Sequence, residues 1–172
     1  IRRGQAEPTD KYPYPRWAMW FPLNVVRVLL LYLIVFPLVR VMGKPRIVGF
    51  ENISDIHTPL LFIANHFAKS DHALVLWALP GRFRRRMSIA MDGELLCEWL
   101  YPAAGTGWFT SLRLRIQYFL VVLFFNVFAM PRHGGFRRSF AFAGQMIEGG
   151  NSVLVFPEGR RSPDGLLHRF KP

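Results

Sequence analysis

Apolar and polar positions fall into two kinds of block along the chain: short continuous apolar runs bounded by turn residues, and longer runs with apolar positions at helical spacing. The longest apolar block, Trp17 to Met42, is interrupted by Pro22, Asn24, Arg27, Pro37 and Arg40. Its clean part, Val28 to Val39, makes roughly 18 Å of helix against the ~30 Å of a bilayer core. With its flanks the block reaches spanning length, but Arg27 would then sit among apolar groups at a cost of about 2.5 to 3.5 kcal/mol if central. The pattern favours a helix, kinked near Pro37, that dips into one leaflet, with a true span as the other reading. Trp17, Trp20, Arg27 and Arg40 argue against a fully buried core helix.

The remaining blocks alternate between strand and helix. Ile1 to Arg16, with Pro8, Pro13 and Pro15, reads as an extended leader. After a linker at Gly43 to Gly49, Ile47 to Phe50 and Leu60 to Ala64 read as paired strands around the turn Asn52 to Thr58. A helix follows from a Ser70–Asp71 start signal, then the basic turn GRFRRR and a strand at Met87 to Met91. ELLCEWLY reads as a helix ended by Pro102. Thr110 or Ser111 would cap a longer helix carrying Leu112 to Phe125, which is too short in its apolar run to cross a bilayer and is expected to serve the core or an apolar groove. A strand is expected from Asn126 to Met130, a turn at Arg132 to Gly135, a helix from Phe136 to Glu148 and a buried strand from Ser152 to Phe156. The expected class is α/β, a mixed sheet flanked by helices, with an N-terminal membrane-associating helical segment. The expected organisation is a leader (1–16), the helical segment (17–43) and a catalytic-type domain (44–172).

Charge changes the picture. The chain has 172 residues, 22 basic against 11 acidic, a net charge of +11 and 51% apolar residues. A basic balance alone would suggest nucleic acid, but nucleic-acid signatures are absent and the arginines adjoin very apolar runs. An anionic lipid surface attracts such segments by roughly 1 kcal/mol per basic residue. Membrane lipids are therefore the expected partner and nucleic acid is not. Cys97 is the lone cysteine, so no intrachain disulfide is possible and no cysteine-based zinc site is suggested, which agrees with a reducing compartment. The expected location is the cytoplasmic face of a membrane. The first residue is not Met and the last segment, RFKP, reads as unfinished, so the chain is expected to be a piece of a longer protein.

The candidate chemistry lies in PLLFIANHFAKSDHALVLWAL, read as strand, loop and helix with His66 in the loop. His66 and Asp71 are five apart, so they meet only if the chain turns between them, and the break after Ala64 supplies that turn. A carboxylate on one imidazole nitrogen leaves the other free to take a proton from a hydroxyl, the base half of a catalytic triad. The missing nucleophile would be the substrate's own alcohol. Such a pair can equally be a helix cap and a surface histidine. His72 is expected to point away from the pair. Roughly 90 residues on, NSVLVFPEGRRS carries a strand into a Pro-Glu-Gly turn and two arginines, with Gly159 able to take a conformation closed to most residues.

Together the NHxxxxD and FPEGxRS motifs resemble those of the glycerolipid acyltransferase family that includes 1-acylglycerol-3-phosphate acyltransferase. The resemblance implies that His66 is the general base and Asp71 its orienting partner. It implies that Arg132, at the end of VFAMPR, contacts the acceptor's phosphate, although the family usually has an upstream glycine and no proline before that arginine. It also implies that Glu158, Gly159 and Arg161 bind the acceptor, with Arg160 standing where the family commonly has threonine. The implied reaction is transfer of an acyl group from acyl-CoA or acyl carrier protein, as co-substrate, to a hydroxyl of a glycerol-phosphate or lysophospholipid-type acceptor. No resident cofactor is implied. No metal site is expected, since His66, Asp71, His72 and Glu158 fit no known ligand spacing. The other reading is a non-catalytic membrane-surface module or the anchoring part of a larger enzyme.

Overall fold

A computed structural model gives the architecture and describes residues 12–43, 45–66, 68, 70–132, 134–159 and 162. A short 3-10 turn, Arg16–Met19, leads into α1 (Phe21–Leu30), a π-helical stretch (Leu31–Val35) and α2 (Phe36–Met42), which run on as one helix. Pro37 lacks an N–H and crowds the carbonyl four residues back, so the ladder widens in the turn before it. A π-helical stretch thus stands just before Pro37, where a kink was expected.

The sheet has the order β1-β4-β2-β3, built from β1 (Leu61–Ile63), β4 (Ser152–Val155), β2 (Met87–Asp92) and β3 (Val127–Met130). Leu61 pairs with Val153, Leu154 with Ile89 and Ile89 with Val127, all in parallel. Every connection runs through helices: α3 (Asp71–Ala78) and α4 (Gly81–Arg84), then α5 (Gly93–Leu100) and α6 (Trp108–Phe125), then α7 (Phe136–Glu148). Parallel neighbours need such crossovers.

The α/β class, with helices flanking the sheet and an apolar N-terminal helix, is as expected. The sheet is parallel among the described residues where a mixed one was expected. The difference traces to Ile47 to Phe50, which forms no strand. Phe50–Ile53 is a 3-10 turn, and Arg82 satisfies carbonyls at the end of that turn and just after it. Its Nε donates to Ile56 O at 2.7 Å and its Nη2 to Ser54 O at 2.6 Å and to Ile53 O. The basic turn is thus partly internal, and Arg84 stacks over Tyr32 and Phe36 of the N-terminal helix.

Strand alternation sorts the core into two layers. Ile89, Val127, Ala129 and Leu154 face a cluster with Leu31, Val35, Phe36, Val39, Leu76 and Val122. Ala90, Phe128 and Val153 face Phe142 and Met146 of α7. The N-terminal helix therefore shares a core with the sheet. Part of the expected leader does so too: Ala129 N–H donates to Pro13 O at 3.3 Å, and Tyr14 Oη lies 3.0 Å from Ser139 Oγ.

Candidate active site

The carboxyl ends of all four strands open on one crevice, where ligands of open parallel sheets bind. His66 follows β1, Asp92 ends β2, Arg132 follows β3, and Pro157 and Gly159 follow β4. The crevice is a cavity of about 530 Å³ bordered by His66, His72, Asp92, Arg132 and Gly159, with apolar walls from Met91, Leu95, Met130, Phe136 and Phe140.

The turn after β1 brings the first pair together. Asp71 is the first residue of α3 and nearly buried, and its Oδ2 lies 2.8 Å from His66 Nδ1. The same oxygen accepts the Ala68 N–H at 2.8 Å, which fixes the carboxylate. With Nδ1 donating to Asp71, Nε2 keeps a lone pair. Phe156 packs on the imidazole at 4.7 Å. The motif after β4 is tied back to the same loop, since Ser162 N–H donates to His66 O.

His72 does not point away. Its ring meets His66 at 5.7 Å and Phe156 at 5.1 Å and borders the cavity. The helix begins at Asp71, so its first turn still faces the crevice. A one-residue step from Asp71 was the only sequence signal, and it suggested the opposite side.

Arg132 reaches the cavity already engaged. Its Nη2 donates to Asp92 Oδ2, and its backbone N–H to Glu94 Oε1 at 3.0 Å and Oε2 at 3.2 Å. Asp92 also caps α5 through Oδ1, which accepts Leu95 N–H at 3.2 Å. Burial works against ionisation of Glu94, but the N–H groups of Arg132 and of Glu94 itself, with Asp92 and Tyr12, outweigh it and hold its carboxyl below the usual range. Tyr12 Oη donates to Glu94 Oε1 at 3.2 Å. Burial first, then the Glu94 charge, push the Tyr12 phenol up to about 12. Sequence reasoning missed Asp92 and Glu94; the turn chemistry at Asp92 was legible, its reach across to β3 was not.

Gly159 borders the cavity with φ +62°, the left-handed conformation expected of it. Glu158 lies behind the wall, 1% exposed, with neither carboxylate oxygen hydrogen-bonded among the described residues. Arg161 and its neighbour Arg160 lie outside the described residues.

A strand-end crevice holding a hydrogen-bonded His–Asp pair, an arginine and a long apolar wall suits proton removal from a hydroxyl on an amphipathic molecule. The Acyltransferase family model matches residues 44–172, and the chain belongs to that family. No curated protein and no solved structure matches it. Membership supports acyl transfer as the general activity, and with it an enzyme.

Proposed function

We propose that the chain moves a fatty acyl group from acyl-CoA or acyl carrier protein to a hydroxyl of a glycerol-phosphate or lysophospholipid-type acceptor. The observation that carries this reading is the 2.8 Å contact of His66 Nδ1 with Asp71 Oδ2 at the lip of an apolar cavity that Arg132 also borders. His66 Nε2 takes the acceptor's hydroxyl proton as that oxygen attacks the thioester carbon. The C–S bond then breaks, and the imidazolium returns the proton to the departing thiolate, giving ester and free thiol. Asp71 holds the tautomer this requires and stabilises the imidazolium. Arg132 faces the acceptor's anionic group, Gly159 borders it, and the apolar wall takes the acyl chain. Glu158 and Arg161 join the acceptor side on the motif alone. The chemistry needs no resident cofactor, because the thioester already carries the activated acyl group.

Attachment to an anionic membrane, at its cytoplasmic face, fits the helix Phe21–Met42, which is long and apolar enough to cross a bilayer yet is packed against the sheet on one side. The test is thiol release from acyl-CoA over a panel of acceptors, in the presence of lipid vesicles. Acceptor-dependent release that His66→Ala abolishes is expected. No release with any acyl-CoA or acyl carrier protein, from protein that still binds vesicles, would replace this reading with the membrane-surface module.

A further inference from the structure

Helix α6 was expected in the core or around an apolar groove. Only Tyr118 and Val122 of its 18 residues are buried. At about 100° per residue, Trp108, Phe109, Leu112, Ile116, Phe119 and Leu120 fall within one arc of about 120°. All of them are exposed, Trp108 by 66% and Phe109 by 70%. Arg115 falls about 20° beyond one edge of that arc and Arg113 about 20° beyond the other, and both are exposed. An apolar face rimmed on both sides by arginines is the pattern of a helix lying in the plane of a membrane surface.

The face is not isolated. Arg27 of α1 donates to Leu123 O at 2.8 Å and reaches Val122 O at 3.5 Å, and Trp17 packs on Phe119 at 5.9 Å. The N-terminal helix, which also exposes Phe21 at 80% and Leu33 at 71%, therefore packs beside α6. Large apolar side chains exposed in such number on two neighbouring helices mark an interaction site. The arginine rim and the chain's net +11 select an anionic occupant.

We infer that α6 lies in the interfacial layer of an anionic bilayer leaflet, as a second membrane-seated element beside the N-terminal helix. It does not cross the bilayer, because its last turn packs into the core through Val122 and runs directly into β3. That last turn also sets Phe125 5.9 Å from the His72 ring at the cavity. The inference extends the membrane part of the proposed function and is independent of the chemistry at His66.

The experiment uses the full chain with Cys97→Ser and a single cysteine placed at Leu112, at Leu33, or at Glu148 on the opposite layer, each carrying an environment-sensitive dye. Mixed phosphatidylcholine and phosphatidylglycerol vesicles are expected to blue-shift the dye at 112 and at 33 and to leave 148 unchanged, with a weaker response to phosphatidylcholine alone. A shift at 33 without one at 112 overturns the role of α6 while leaving the N-terminal attachment standing. A shift at 112 that grows with protein concentration in the absence of vesicles overturns it in favour of a second copy of the chain. As a check that keeps Cys97, Leu112→Asp with Ile116→Asp is expected to weaken vesicle co-sedimentation at least tenfold with an unchanged circular dichroism spectrum; undiminished binding by that folded variant overturns the inference. Neither readout involves turnover, so a failure of acyl transfer is scored separately.

Discussion

The guanidinium of Arg132 is paired with the carboxylate of Asp92, while the backbone N–H of the same arginine donates to Glu94. The cation proposed for the acceptor is therefore held in place, and partly neutralised, by the chain's own carboxylates. Asp92→Asn keeps a competent cap for Leu95 N–H, since asparagine caps as well as aspartate, and removes only the charge. An anionic acceptor then meets one less like charge, so its KM is expected to fall severalfold while kcat changes little. Arg132→Gln is expected to raise the same KM about 10- to 100-fold, the size of a lost charge-assisted hydrogen bond. Steady-state kinetics on both variants checks the pair; a rise in KM for Asp92→Asn would mean that orientation outweighs repulsion.

Asp71→Asn separates the charge of the carboxylate from the shape of the turn. The amide oxygen can take the place of Oδ2, accepting both the Ala68 N–H and the His66 Nδ1–H, so the loop is retained, but it lacks the charge that stabilises the imidazolium. A fall in kcat of at least about 100-fold is expected, within the range that general-base catalysis supplies, with a thermal midpoint close to wild type. His66→Ala should fall at least as far. A variant Asp71→Asn of near-normal kcat would leave the contact as a helix-start feature only.

How much of this was legible in the chain depended on how local each cause was. The helix Phe136–Glu148 and the turn joining His66 to Asp71 follow from periodicity, glycine stops and a break between apolar runs, all within a few residues. Gly159 was legible for the same reason. What escaped was set by partners far along the chain. Ile47 to Phe50 has a strand's composition, but Phe50 opens a 3-10 turn instead, and the segment after it is held by Arg82 of α4, far along the chain. Arg27 looked like a cost to an apolar helix, and nothing nearby hinted at the carbonyls of α6 that receive it. Asp92 and Glu94 reach Arg132 only because β2 and β3 are neighbours in register.

Those carbonyls give Arg27 a structural effect that can be measured. Leu123 lies in the last turn of α6, where C=O groups lack intrahelical donors and a cation is favoured. Arg27 also donates to Ala18 O at 2.8 Å, tying the 3-10 turn to both helices. Arg27→Met keeps much of the apolar stem and leaves buried acceptors without a donor, at about 1 to 3 kcal/mol for each unsatisfied group. The thermal midpoint is expected to drop by roughly 5 to 10 °C, with Arg27→Lys intermediate. An unchanged midpoint for Arg27→Met would remove the bridge from the account of the fold.

The Tyr12–Glu94 contact depends on a missing side chain. A Cβ at Gly93 would lie 2.8 Å from Tyr12 Cδ1 and 3.3 Å from the Met130 carbonyl carbon, so Gly93→Ala must push the tyrosine ring off its seat. Its folded phenol is raised from 10.0 to about 12, so the folded state holds that proton more tightly than the unfolded one. The stabilisation is accordingly complete below the unfolded value and lost as pH rises through the folded one. Both Tyr12→Phe and Gly93→Ala should lower the thermal midpoint at neutral pH, and the gap between wild type and Tyr12→Phe should narrow between about pH 10 and about pH 12, where the phenol of the unfolded wild type ionises and that of the folded state does not. Glu94 works at the other end of the scale. Its carboxyl is held low, so its contribution is present above the ordinary carboxylate range and fades as acid protonates the folded state. Thermal melts across both windows check the signs; a gap that widens toward alkaline pH would mean that the phenol is not the group holding the leader to α5.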